Sequence, residues 1–217
     1  MPYLLNPQEV SFPLPGLADE DGLLAIGGDL SLERLVLAYE NGIFPWYQQN
    51  GEWFWFSPLE RCVIFPAHLK ISKSMRALLK KGHFSITHNH AFQDVIKNCA
   101  TIKRADDEST SWINPELQEA YTKLYQHGYA HSLEVWLDEK LVGGLYGVFI
   151  NGVFIGESMF SKVSNASKIA LIYLGKLPQV KLIDCQVPNP HLISMGAELI
   201  PQESYLAMLR ARSNPAL

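Results

Sequence analysis

An α+β fold, with a small N-terminal domain over residues 1–60 and a larger domain over 61–217 built on a mixed sheet flanked by helices, is what three features of this 217-residue sequence predict. At His131 the spacing of apolar residues changes from a helical to an alternating period, and it stays alternating through two tight turns, as in an antiparallel meander. Beyond that meander, helical and extended stretches alternate. Finally, 47% of the residues are hydrophobic and 18% charged, which is enough apolar surface for one large core, alone or with a small neighbour.

The elements follow in order. Gly22 to Gly28 is a short apolar run ending in GGDL, and Ser31 is a good N-cap for a helix Leu32–Asn41 that Gly42 ends. GIFPWY and the run WFWFSP come next; Trp46, Trp53, Phe54, Trp55 and Phe56 read either as core or as the wall of a site for an apolar or aromatic ligand. The aromatic run ends and the charge changes sign near Ser57–Arg61, which places the domain boundary there. Val63–Phe65 reads as a strand and Ile71–Lys81 as a helix with Ile71, Met75, Leu78 and Leu79 on its core face. Ala91–Ala100 is a further helix, followed by an acidic loop at Asp106–Glu108. Asn114 caps a helix with Pro115 in its first turn, and Leu117, Ala120, Tyr121, Leu124 and Tyr125 form an apolar stripe ending before Gly128.

The meander comprises Ser132–Leu137, a turn at Asp138–Lys140, Leu141–Ile150, an Asn-Gly turn at Asn151 and Gly152, and Val153–Phe160. After it, Ser164 or Asn165 caps an apolar helix through Leu174. Lys181–Val187 is a strand, Pro190–Met195 a short helical turn, Glu198–Ile200 a strand and Gln202–Arg212 an amphipathic helix. This order is that of the acyltransferase fold that includes acetyl-CoA-dependent N-acetyltransferases, a statement about architecture that carries no chemistry by itself.

The net charge of −4 conceals an asymmetry. Residues 1–60 are strongly acidic, with Arg34 their only Lys or Arg, whereas Arg61 to Gln93 contains no Asp or Glu but holds Arg61, Lys70, Lys73, Arg76, Lys80 and Lys81. Lys70, Lys73, Arg76 and Lys80 recur at helical spacing, and such a stripe suits a phosphate backbone or is a plainly solvated face. Any contact with nucleic acid is expected to be local, because the rest of the chain is acidic.

Several classes are excluded. No run approaches the ~18 apolar residues of a membrane span, and MPYLLNPQEV lacks the basic-then-apolar layout of a signal peptide, so a cytosolic protein without a membrane partner is expected. Cys62, Cys99 and Cys185 are odd in number, far apart and without CxxC spacing, which argues for reduced thiols rather than a disulfide framework or a zinc site. His88-Asn89-His90 has no further ligands at zinc spacing, so no metal is expected there and the histidines read as exposed or structural. His131 reads as a satisfied core histidine or as a residue that orients a site.

The chemistry-bearing signal is polar residues inside apolar strands. GESMFSKVSNASK carries Glu157 out of an apolar run, and LIDCQV is a buried strand interrupted by Asp184 and Gln186. An unpaired charge inside a sheet costs several kcal/mol or neutralises itself, so two such strands side by side imply a prepared polar site. Strand alternation puts Asp184 and Gln186 on one face about 7 Å apart and turns Cys185 to the other as a packing residue.

GLLAIGGDLS, GIFPWY, WFSP, TSWI, AHSLEVW, LVGGLYGV, GESMFS, NASK and KLIDCQV stand in an order and spacing that resembles the leucyl/phenylalanyl-tRNA-protein transferase family, from about Gly22 to Tyr205. The resemblance implies transfer of Leu or Phe from aminoacyl-tRNA to the α-amino group of proteins beginning with Arg or Lys, which marks them for degradation. It also implies that Leu145, Met159 and Leu174 line a pocket for the aminoacyl side chain, with Trp46 and Trp112 near the terminal adenosine. Lys70, Lys73, Arg76 and Lys80 would then contact the tRNA, although Lys73 stands where the family often has Arg.

An aminoacyl ester is already activated, so such a reaction needs no ATP, metal or other cofactor, and the protein mainly has to position the reactants. About one-tenth of an α-amino group is neutral near pH 7, so a hydrogen-bond acceptor suffices in place of a strong base. Gln186 fits that role through its amide oxygen, with Asp184 to orient it and take up the proton. Glu157, helped by Asp184, is the candidate for holding the basic side chain of the acceptor. A monomer is expected. Two alternatives stay open: an acetyl-CoA-dependent N-acetyltransferase, which needs a glycine-rich phosphate turn although Ser161–Ser167 contains no glycine, and a binding-only reader of basic N-termini or RNA.

Overall fold

The computed structural model describes residues 1–102, 112–211 and 217. The acidic loop expected at Asp106–Glu108 and the last residue of the terminal helix, Arg212, lie outside the described residues.

The chain forms β1 (Tyr3–Leu5), β2 (Leu23–Gly27), α1 (Leu32–Glu40), β3 (Phe44–Gln49), β4 (Glu52–Phe56), β5 (Glu60–Ile64), α2 (Lys73–Lys80), β6 (Ser85–His88), α3 (Phe92–Thr101) and α4 (Pro115–Gln126). It continues with β7 (Ala130–Leu137), β8 (Lys140–Ile150), β9 (Val153–Ser161), α5 (Ala166–Leu174), β10 (Leu182–Gln186), α6 (Pro190–Ser194), β11 (Glu198–Pro201) and α7 (Gln202–Arg210). Local chemistry explains the clearest of these. The Asn114 side chain accepts the Leu117 N–H at 2.8 Å to start α4, and Ser72 accepts that of Met75 at 3.2 Å to start α2. Asn151 and Gly152 both take positive φ, 52° and 87°, as the tight turn between β8 and β9 requires.

The fold is α+β, as expected. Four strands in the order β1-β2-β4-β3 make one sheet, and seven in the order β11-β5-β10-β9-β8-β7-β6 make the other. β6 to β9 are antiparallel neighbours, β9 and β10 run parallel, and β5 is antiparallel to both β10 and β11. One face of the larger sheet packs with α1, α3, α4, α7 and the smaller sheet; the other packs with α2, α5 and α6. Two edge strands, β1 and β6, were not legible, being three and four residues long and largely exposed or half-buried. The strand expected at Val63–Phe65 starts earlier, at Glu60, because Arg61 is buried inside it rather than belonging to the exposed basic stretch.

Two irregularities position the functional residues. β9 and β10 pair only over Leu182↔Val153, Ile183↔Phe154 and Asp184↔Ile155, and part beyond. On the other side of β9 the register passes from Tyr146↔Ser158 to Gly147↔Gly156, leaving Glu157 as the extra residue of a bulge. The bulge inverts the phase of β9. Glu157 therefore faces the α1/α4 layer, while Met159, two residues on, faces the α5 layer with Leu145 and Leu174.

Gly147 allows this bulge: a Cβ there would stand 2.1 Å from the Ile155 carbonyl oxygen and 2.7 Å from the Phe154 ring. Gly147→Ala is expected to destabilise the protein by about 2 kcal/mol or more, read as a fall in Tm of roughly 4–8 °C by scanning calorimetry.

Candidate active site

Where β9 and β10 part, a cavity of about 380 Å³ opens between the two layers, in the ~300–1,000 Å³ range of small-molecule sites. Its apolar side is formed by Leu145, Phe154, Met159, Leu171, Leu174, Ile183 and Leu192, and its polar side by Glu157, Asp184 and Gln186. All five residues expected for the aminoacyl pocket, Leu145, Met159, Leu174, Trp46 and Trp112, line it together with the polar three. The aromatic run divides between its two readings: Trp53, Trp55 and Phe56 are core, whereas half-buried Trp46 stands at the cavity.

Asp184 is fully buried and holds an internal cation. Arg61 donates from Nε to Oδ1 and Oδ2 at 2.9 and 3.0 Å and from Nη2 to Oδ2 at 2.7 Å. Tyr205 donates its hydroxyl to Oδ2 at 2.7 Å, and the Gln186 backbone N–H donates to Oδ1 at 2.8 Å. Burial pulls the Arg61 guanidinium down, and the attractions and hydrogen bonds of Asp184 and Tyr205 together raise it by more, so Arg61 stays charged. The last of these bonds acts on Gln186, whose backbone takes the left-handed φ of 61° that side chains other than Gly and Asn rarely adopt.

Among the described residues no cation bonds Glu157 directly. The Tyr39 hydroxyl donates to its Oε1 at 2.8 Å, the Tyr121 hydroxyl to its Oε2 at 2.7 Å and the Gln186 Nε2 to Oε1 at 2.9 Å. The two tyrosine hydroxyls also lie against each other, and as each has one proton, a bond between them uses the proton that one of them would otherwise give to Glu157. Burial pushes the Glu157 carboxyl up to about 7, opposed by the hydrogen bonds from Tyr121 and Tyr39. An ionised carboxylate only accepts, so the amide NH₂ of Gln186 is the end that faces Glu157, and its Oε1 is turned away as an acceptor.

Tyr39, Tyr121, Arg61 and Tyr205 were not read as site residues. The available signal was chemical: a tyrosine in a buried stripe carries a hydroxyl that needs a partner, and an arginine leading the apolar CVIF run needs an acid. Lys70, Lys73, Arg76 and Lys80 are all exposed, none lines the cavity, and among the described residues no acid pairs with them. Their segment adjoins the cavity wall indirectly, since Met75, Leu78 and Leu79 pack with α5 and Leu69 lies against Gly175 at its end. His131 is buried, bonded to Asn89 and stacked on His88, and burial pushes it down to about 4. No helix among the described residues is long and apolar enough to cross a membrane, and no group of three His, Cys, Asp or Glu among them is placed to hold a metal.

Two family models match the chain: leucyl/phenylalanyl-tRNA protein transferase over residues 63–210, and the N-terminal domain of the same transferase over residues 28–59. The leucyl/phenylalanyl-tRNA–protein transferase of Syntrophobacter fumaroxidans is 52% identical over 212 residues, covering 96% of this chain and 90% of that protein. That of Flavobacterium johnsoniae is 50% identical over 215 residues, covering 98% of this chain and 100% of that protein. A GCN5-related N-acetyltransferase from Kribbella flavida superposes with a TM-score of 0.39 at 11% identity over 77% of this chain and 59% of that one. The chain is therefore an acyl-transferring enzyme, an aminoacyltransferase. It belongs to the leucyl/phenylalanyl-tRNA protein transferase family.

Arg61→Leu would strand the Asp184 carboxylate in the core. It is expected to cost about 3–5 kcal/mol, and adding Asp184→Asn to it should recover part of the loss; chemical denaturation of the two variants measures the coupling.

Proposed function

We propose that the protein transfers Leu or Phe, and less readily Met, from aminoacyl-tRNA to the α-amino group of proteins that begin with Arg or Lys, marking them as N-degrons for degradation. It acts as a monomer in the cytoplasm, where charged tRNA is found. The observation that carries this reading is the orientation of Gln186, whose amide is pinned by Glu157 so that its Oε1 is left as an acceptor on a cavity with an apolar side.

The apolar side takes the donor's side chain, with Met159 a flexible wall that fits both a branched and an aromatic group. Trp46 and Trp112 take the terminal adenosine. The incoming amine donates to Gln186 Oε1, which aligns its lone pair with the ester carbonyl carbon. A new C–N bond forms, the C–O bond to the ribose breaks, and the ribose oxygen leaves with a proton.

Of the two roles expected of Asp184 toward Gln186, orienting is the one its contacts support. Its oxygens are engaged by Arg61, Tyr205 and the Gln186 N–H, and the cation it holds belongs to the protein. The basic side chain of the acceptor is thus assigned to the negative charge of Glu157, which no cation among the described residues contacts directly. Lys70, Lys73, Arg76 and Lys80 hold the tRNA backbone as an exposed stripe beside α5.

Labelled Leu or Phe on tRNA should pass to peptides with N-terminal Arg or Lys and not to one with N-terminal Ala; labelling of none, by folded protein, overturns the assignment. Gln186→Ala is expected to lower kcat by about 10²-fold while peptide binding persists. Lys73→Ala and Arg76→Ala should each raise the KM for tRNA several-fold and reduce its salt dependence by a slope of about 1.

The pH dependence separates two groups. Below about 7 Glu157 is protonated and loses the charge assigned to the acceptor, so the KM for an N-terminal Arg peptide should fall as pH rises through 7. Deprotonation of the amine itself, near 7.7–8.0, acts on kcat. Glu157→Gln should flatten the KM profile and, because Glu157 also pins the Gln186 amide, lower kcat as well; a KM profile unchanged by this substitution would place acceptor recognition elsewhere.

A further inference from the structure

We propose that Cys62 and Cys185 form a reversible disulfide when the protein meets a hydroperoxide, and that this bond switches the transfer reaction off. The switching rests on the transfer reaction proposed above, whereas formation of the bond does not.

The two cysteines lie on neighbouring antiparallel strands, β5 and β10. Their register passes from Asp184↔Val63 to Gln186↔Cys62, so Cys185 is an extra residue and stands with Gln186 against Cys62. Both side chains belong to the α2/α5 layer, opposite the Arg61–Asp184 pair. Residues opposed in an antiparallel pair have Cα atoms about 4.5–5.5 Å apart, within the ~4.4–6.8 Å that disulfides span. Cys99, buried in the other layer, is not part of this arrangement.

Access and reactivity are divided between the two sulfurs. Cys185 is half-buried and lines the cavity, so a small oxidant that enters reaches it first; Cys62 is fully buried behind it. The hydrogen bond from Cys185 holds the Cys62 thiol below the usual range, and the same bond pushes Cys185 up. The Cys185 sulfur attacks one peroxide oxygen, the S–O bond forms as the O–O bond breaks, and the departing oxygen takes the Cys185 proton and leaves as an alcohol or water, which gives the sulfenic acid. Cys62 then attacks that sulfur, the S–S bond forms, the S–O bond breaks, and the hydroxide leaves as water with the Cys62 proton. Two thiols lose two electrons in total, and the hydroperoxide accepts them.

Position makes the bond consequential. Cys185 sits between Asp184 and Gln186, so drawing its sulfur to the ~2.05 Å of a disulfide pulls on the backbone that presents the Gln186 amide to Glu157. A misplacement of about 1 Å at such a group costs roughly 10²-fold in rate.

The test takes the reduced full chain, with and without excess hydrogen peroxide, and reads alkylatable thiols by mass spectrometry after denaturation alongside transfer activity. Expected are three alkylated cysteines before oxidation and Cys99 alone afterwards, a Cys62–Cys185 cross-linked peptide, a transfer rate at least tenfold lower, and recovery of both readouts with dithiothreitol. Cys62→Ala, or Cys62→Ser if that variant does not fold, should give no Cys185 cross-link after the same treatment, and a cross-link from Cys185 to Cys99 in its place overturns the assigned pair. Retention of all three thiols, or oxidation of Cys185 without a cross-link, overturns the proposed bond. A cross-link that leaves transfer unchanged overturns the switch. If the reduced protein transfers nothing, the functional reading has failed, and the thiol count still decides whether the bond forms.

Discussion

A guanidinium and a carboxylate shut away from water hold this structure in register. Arg61 and Asp184 join neighbouring strands β5 and β10, and Arg61 lies between the rings of Phe44 and Tyr205, its Cζ 4.7 and 4.6 Å from their centroids. Its remaining donor, Nη1, bonds the Gly42 carbonyl at 3.1 Å, which ties in the end of α1. Buried pairs of this kind add little net stability over a well-packed apolar replacement. Here the pair supplies position, since the same Asp184 carboxylate accepts the N–H of Gln186 and holds that residue in an unfavourable backbone conformation.

The two buried carboxylates have different partners and so different chemistry. Asp184 is balanced by a full positive charge. Among the described residues the donors against Glu157 are neutral, two tyrosine hydroxyls and one amide, and burial brings its titration close to neutrality. Gln186 bridges the two, with its backbone on one and its side chain on the other. The amide is thereby fixed at both ends without being a titrating group itself.

Much of the fold was legible because local signals agreed with tertiary packing. The Asn114 cap, the Asn151-Gly152 turn and the apolar α5 all appear where their chemistry places them. Cys185 does lie in the layer opposite Asp184, but regular alternation stops there: the register against β5 slips between Asp184 and Gln186, and the left-handed φ of Gln186, not strand phase, brings its amide to Glu157 on the Asp184 side. Alternation fails at Glu157 and Met159, which a regular strand would put on one face and the bulge puts in different layers. A bulge depends on close approach of two chains, here Gly147 against Ile155, and a single sequence does not record which glycines meet which carbonyls. Arg61 was read with its exposed basic neighbours for a similar reason: its partner lies far away along the chain.

That distance has a consequence for how the protein becomes active. The donors on the two carboxylates come from α1, β5, α4, β10 and α7, separated by most of the sequence. Each contact closes a long loop, and the entropy of closing it must be overcome before the contact yields anything. No local segment holds even half of the constellation, so chemistry is the last property the folding chain acquires. A nascent chain that has made only its meander still lacks Asp184, Gln186 and Tyr205, so neither carboxylate has its full set of donors until β10 and the C-terminal helix have docked.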